Sequence, residues 1–374
     1  MNKKYGMFQP LASAFVFFLV FATVVGYGFA EGKTETEMQK GWQEVMVFKP
    51  VSATHPIWCG SKGIIITEWE MKGNEAKKYY GGIVHINIES KKKALITREI
   101  LTKNPFCNYD GSFVFYFQWQ EDPKQYERMI SGGIWMHDLK TGKKQEIGYA
   151  ITDYFKNPAS PTEKVFALIG VEKQYLQIWK ANLPDWKILY IPKDRSMTRS
   201  YGGSVSQWAS DGSYFMLNVI DYNERGKDSF IFYDKKGRLI RNIPVSEVQA
   251  VRLKIMGDGV YFFREDGRLR RLNPWTGKIE DLPLQVVISK GFNFQFDASM
   301  NREVAYTRND HEIGLWIDSI HGNKAQEISE EGTFPVFSRS GEYIAFIKEA
   351  IDPNDPHSFS WVLVVMKRNS KMTR

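Results

Sequence analysis

The sequence is short of almost everything that announces chemistry. No Gly-x-Ser-x-Gly elbow, His-Glu-x-x-His pair, Walker loop or Cys-x-x-Cys pair occurs in its 374 residues, which excludes the compact catalytic signatures. Only two cysteines are present, Cys59 and Cys107. Neither directly follows the N-terminal apolar run, so a lipoprotein anchor is not supported. Beyond that run no apolar stretch approaches membrane-spanning length, and no part of the body carries an amphipathic helical period. The pairs Gly81–Gly82, Gly132–Gly133 and Gly202–Gly203 precede strand-like segments with no helix after them, so they read as loop glycines rather than phosphate cradles. No stripe of Arg and Lys interleaves with exposed aromatics, which excludes a nucleic-acid surface. Short basic runs such as Lys91, Lys92 and Lys93 sit beside turns and read as solvated edges.

What is abundant is aromatic: 25 Phe, 18 Tyr and 11 Trp in a chain that is 43% hydrophobic. Large flat side chains suit a pleated surface, so the composition favours strands. The first 30 residues are a different material. Lys3 and Lys4 supply a positive start, residues 11–25 are almost wholly apolar, and Gly28, Phe29 and Ala30 place small residues where a signal peptidase cuts. A cleaved leader, giving a mature chain from Glu31, is the first reading; an uncleaved anchor is the alternative, because residues 11–30 are long enough to span a bilayer. Either way the body is delivered across a membrane. Removing Lys3 and Lys4 reduces the formal charge from +7 to +5. Residues 31–41 read as a polar linker and 42–374 as one domain.

That domain repeats. Six segments begin with an apolar residue, carry Asn, Asp or Ser four positions on, and end with an apolar residue 13 positions on. They start at Ile83, Ile134, Ile178, Phe230, Leu269 and Leu315 and end at Ile96, Ile147, Ile191, Ile243, Leu282 and Ile328. A short Asx or Ser side chain bonds the backbone two residues on and starts a turn; Gly142, Gly237, Gly277 and Gly322 then supply positive φ. Each copy reads as strand, tight turn, strand. Upstream lies a second pair, a turn such as Asp110–Gly111, Asp211–Gly212 or Ser340–Gly341 followed by an apolar strand. Four strands per unit at a spacing of about 45 residues is the period of a propeller blade. Seven units fit between His55 and Asn369, although the third lacks the turn glycine. The expectation is an all-β, seven-bladed β-propeller of four-stranded antiparallel blades.

Phe337, Ser338, Arg339, Ser340 and Gly341, followed by Tyr343–Phe346, resemble the Phe-Ser-Pro-Asp-Gly turn and strand of the TolB-like, WD-repeat-like propellers of exported bacterial proteins. Ile134, Trp135, Asp138, Thr141 and Gly142 resemble their strand-and-turn motif. Arg339 and Ser340 stand where the family has Pro and Asp. The resemblance spans nearly the whole mature chain and implies an architecture, since such propellers serve as scaffolds, binding modules and enzymes.

Ring closure follows from two mismatched ends. The seventh unit has a third strand at residues 361–366 but too few residues after it for a fourth, while residues 44–49 have strand character and no partner. Pairing the two closes the ring and covers an open edge.

Candidate sites come from the loops. In a propeller the segments entering each blade and those between its second and third strands emerge on one face. His55, His311 and His357 fall there in neighbouring units, and by analogy with propeller-fold oligogalacturonate lyases they are the candidate ligands of a divalent metal. Without it the expectation is no cofactor. His85 and His137 occupy matching strand positions and read as packing residues. Trp69, Tyr79, Tyr80, Trp119, Arg128, Tyr201, Tyr222 and Arg225 lie near the longer insertions and are the candidate recognition residues. Cys59 and Cys107 both stand four residues before a glycine, Gly63 and Gly111. Side chains alternate along a strand, so two residues in one phase of neighbouring blades point the same way round the ring. That phase argument predicts buried free thiols, with a disulfide as the alternative.

The function these features support is an exported, periplasmic, secreted or cell-surface binding or scaffold module, non-catalytic and monomeric, using loops on one face. Its expected partner is another protein or an envelope-associated ligand, with no nucleic acid and with a membrane met only through residues 1–30. The alternative is a metal-dependent, lyase-like propeller enzyme acting on a polysaccharide or peptide.

Overall fold

The computed structural model describes residues 41–51, 55–71, 79–98, 102–108, 110–119, 132–150, 155–169, 185–191, 205–219, 228–288, 294–308, 314–352 and 355–369. The leader, the polar linker up to residue 40 and many of the longer loops lie outside this set.

The repeat is realised as four-stranded antiparallel sheets around a centre. Unit 1 runs Ile57–Cys59, Gly63–Met71, Tyr79–Asn87 and Lys93–Thr97, each strand hydrogen-bonded to the next. Units 2, 5 and 6 repeat that order, and unit 4 does so with one further strand, Phe155–Asn157, parallel to its innermost strand. The turn chemistry is as expected. Asp138 Oδ1 accepts the N–H groups of Lys140 and Thr141 at 2.8 and 3.0 Å, and Asn273 Oδ1 those of Trp275 and Thr276 at 2.9 and 3.0 Å. Lys91, at φ 55°, takes the left-handed place in the glycine-free turn of unit 1.

Six units, not seven, form such blades. The third does not: strand Val165–Ile169 pairs directly and in parallel with Lys187–Ile191, from Val165↔Lys187 to Ile169↔Ile191. The intervening strand expected from Ile178 lies outside the described residues. A parallel pair of this kind is two strands from alternate positions of a blade brought edge to edge. It still fills space as a wedge, because its faces alternate. Phe166 packs with Phe106 and Phe115 of unit 2, whereas Val165, Ala167 and Leu189 pack with Trp208 and Phe215 of unit 4.

Closure is as the chain ends required. Trp42–Val51 pairs antiparallel with Asp355–Arg368, from Trp42↔Arg368 to Val51↔Trp361, and becomes the fourth strand of unit 7. Trp42 and Met46 bury their side chains at 3% and 5% exposure. Arg368 forms a two-pronged ion pair with Glu303 of unit 6 and lies 5.0 Å over the Trp42 ring. The apolar core is a set of seams between adjacent sheets, so strands such as Gly259–Phe263 are buried on both faces. The described residues contain one helix, the four-residue turn Val245–Val248.

Candidate functional site

The innermost strands of units 1, 2, 4, 5 and 7, where they turn to their second strands, surround a cavity of about 210 Å³ together with Pro161. Trp58, Trp208, Lys254, Val336 and Arg339 are among its lining residues. The indoles are fixed by their neighbours: Trp58 Nε1 donates to Val336 O of unit 7, and Trp208 Nε1 to Pro158 O of the wedge, both at 2.9 Å. Lys254 of unit 5 pairs with Asp297 of unit 6 at 2.5 Å. Asp297 is only 4% exposed, and its other oxygen accepts Phe337 N of unit 7 at 2.7 Å. One buried carboxylate thus ties three consecutive inner strands; it is stable there because both oxygens are satisfied. Arg339, exposed, reaches across from unit 7 to donate to the Pro161 carbonyl of the wedge. The cavity therefore has two flat indoles and two cations on its wall. Arg339 retains further donors, since a guanidinium carries five.

Cys107 lines the same cavity, and the structure joins it to Cys59 in a disulfide. The phase argument fails at its alignment. In unit 2 the left-handed turn residue is Gly111, φ 74°, four positions after Cys107; in unit 1 it is Gly60, φ 65°, next to Cys59, and not Gly63. Cys107 pairs across its hairpin with Val114, but Cys59 pairs with Gly63 itself. The unit 1 turn is three residues shorter, so the two thiols are not in equivalent positions and face each other. Gly63 is glycine for another reason: a Cβ there would stand 2.3 Å from His85 Nε2.

His85 and His137 take the packing places assigned to them, and burial lowers the pKa of both. His55 is exposed, with its ring 4.2 Å from that of Phe334. His311 lies outside the described residues, and of His357 only the backbone, in strand Asp355–Arg368, is described. Among the described residues no group of three or more His, Cys, Asp or Glu is placed to hold a metal. Trp69, Tyr79 and Tyr80 lie at the far ends of the second and third strands of unit 1, with Trp69↔Gly81 and Glu70↔Tyr80 in register. Trp119 stands opposite Gly132 in unit 2. These four backbones mark the face away from the cavity turns. Arg128, Tyr201, Tyr222 and Arg225 lie outside the described residues.

No protein-family model matches the chain, and no curated protein matches it. Its fold is that of a β-propeller, and solved propellers are similar to it. TolB from Acinetobacter baumannii is 11% identical over 84% of this chain and 65% of its own, with a TM-score of 0.42. Puromycin hydrolase is 9% identical over 80% of this chain and 51% of its own, with a TM-score of 0.47. The β-propeller domain of the Trilobed protease from Pyrococcus furiosus is 13% identical over 80% of this chain and 78% of its own, with a TM-score of 0.38. The chain thus spans less than two thirds of TolB and about half of puromycin hydrolase. The likeness is one of architecture, and the propeller assignment rests on the strand order itself. Among the described residues no helix is long and apolar enough to cross a membrane.

The inner-strand residues that build the cavity were not singled out from the sequence, yet one signal was present. Arg339 stands where the motif has proline, and that departure supplies the side chain that crosses the cavity.

Proposed function

We propose that the protein is an exported, non-catalytic binding module that takes one small group of its ligand into the central cavity. The cavity wall carries this reading. At about 210 Å³ it is smaller than the roughly 300–1,000 Å³ of drug-sized sites, so it suits a group the size of one side chain or headgroup. Trp58 and Trp208 offer flat apolar surface, while Lys254 and Arg339 offer donors without an unpaired acid between them. That is the chemistry of recognition: orientation by a few polar contacts on an apolar wall. The ligand is another protein or an envelope component, as the leader supports.

The test is capture from the native envelope with wild-type protein and with Arg339→Ala, whose exposed side chain leaves the fold intact when removed. A partner held by wild type and lost by at least tenfold from the variant is expected. Identical capture by both proteins overturns the cavity as the site. Intact mass of the exported protein is expected to show a chain beginning at Glu31. Stoichiometric metal in the purified protein would instead favour the metal-dependent enzyme.

A further inference from the structure

The cavity opens among the turns that join strands one and two of each unit, and antiparallel order puts the turns between strands three and four on that same face. In units 1, 2 and 4 these outer turns are strongly basic. Residues 89–93, 138–144 and 234–238 hold nine basic residues against three acidic ones, nearly the whole formal excess of +7. Each of the three acids is already engaged. Glu89 is paired with Lys62 at 2.9 Å. Asp138 and Asp234 spend an oxygen on the N–H groups of their own turns, at 2.8–3.0 Å. The lysines at the tips, including Lys91, Lys140, Lys143 and Lys236, are exposed. None of these four makes an ion pair among the described residues.

Apolar side chains stand on the same face. Of the six large hydrophobic residues that are exposed among the described residues, three are at its turns: Leu239 at 62%, Trp275 at 44% and Met300 at 55%. Trp275 is held rather than loose, with its carbonyl accepting Arg241 Nη2 at 2.9 Å and its ring edge-on to Tyr214 at 5.2 Å. The closing strand begins at this face, where Gly41 O accepts the N–H of Asn369.

We propose that this face is a docking surface for an anionic lipid bilayer. Lysines reach the headgroup charge, while Trp275, Leu239 and Met300 enter the interface, the combination by which peripheral proteins hold a membrane. This departs from the expectation that only residues 1–30 meet a membrane. It also turns the cavity mouth toward the lipid and the opposite face, with its longer insertions, toward solvent. A soluble polyanion fits less well, since it has no use for exposed Leu239 and Met300.

The test is sedimentation of the full chain with vesicles of phosphatidylcholine alone and of phosphatidylcholine with 30% phosphatidylglycerol (about one anionic lipid in three). Each lysine near such a surface contributes about fivefold to partitioning, and salt screens it. Wild type is expected to prefer the anionic vesicles at least tenfold at low salt. The variant Lys140→Glu/Lys143→Glu/Lys235→Glu/Lys236→Glu is expected to lose that preference, with unchanged circular dichroism because these side chains are exposed. Trp275→Ala is expected to weaken binding to anionic vesicles several-fold. Equal binding to both vesicle types by wild type means that residues 1–30 alone hold the membrane, and overturns the proposal. So does a quadruple variant that keeps the preference. So does a Trp275→Ala variant that binds like wild type while single-stranded DNA displaces the vesicles.

Discussion

Breaking the Cys59–Cys107 cross-link tests both the register of the first two units and the origin of their stability. The bond closes a loop of 48 residues that contains almost all of unit 1. The chain-entropy relation gives about 14 cal/mol/K for a loop of that length, or about 4 kcal/mol at 25 °C. Both sulfurs sit in a buried cluster with Ile65, Ile83, Val114 and Tyr116, so removing either atom adds a smaller packing loss. Because both residues belong to one cross-link, the losses do not add. Cys59→Ala and Cys107→Ala should each lower the unfolding free energy by about 4 kcal/mol, and the double variant by about the same. Urea unfolding of the four proteins measures this. Denatured, unreduced wild type should show close to no free thiol. Single-variant losses that sum to the double within about 0.5 kcal/mol, or two titratable thiols, would mean that the residues act as separate packed thiols and that the corrected register is wrong.

Three further outcomes follow from the packing. Trp42→Ala, at a site 3% exposed beneath Arg368, should cost about 3–5 kcal/mol in chemical denaturation; a loss under 1 kcal/mol would show that the closing strand contributes little. Gly60→Ala should cost at least about 2 kcal/mol, because it forces a left-handed φ of 65° and sets a Cβ 2.8 Å from Asp110 O. Gly142→Ala, at φ 71° with nothing within 4 Å, should cost only about 1 kcal/mol, and equal losses at the two sites would refute the contact argument. Burial, and then the hydrogen bond that Tyr261 donates to Asp258, push the Tyr261 hydroxyl up to about 12. A folded-state value above the unfolded value of about 10 means that stability is full below pH 10 and is lost as pH rises toward 12. Melting curves at pH 9 and 11 should therefore fall more steeply for wild type than for Tyr261→Phe; equal slopes would sink the assignment.

The sequence was legible wherever a turn has one chemical solution. Asn87, Asp138, Asp234 and Asn273 announce their turns because a short acceptor must meet two N–H groups, and all four do so. The closing strand was legible because an unpartnered strand and an open edge complement each other. The third unit was not. Its apolar spacing fits a hairpin, but spacing does not distinguish a strand that pairs with its sequence neighbour from one that pairs across a skipped segment, and Val165–Ile169 takes the second partner. The cysteine error has the same root. Glycine marks a turn without saying which glycine is left-handed, and only φ separates Gly60 from Gly63. The cavity was legible least of all, because its residues converge from strands scattered over most of the chain.

The closing strand also fixes when the protein can be finished. It pairs Trp42 with Arg368, residues more than 300 positions apart, so the ring stays open until both are available. Pairings this distant in sequence form late and slowly, because loop closure is unfavourable until the blades between are in place. A ring locked by strands this far apart cannot snap shut when only half of its blades exist.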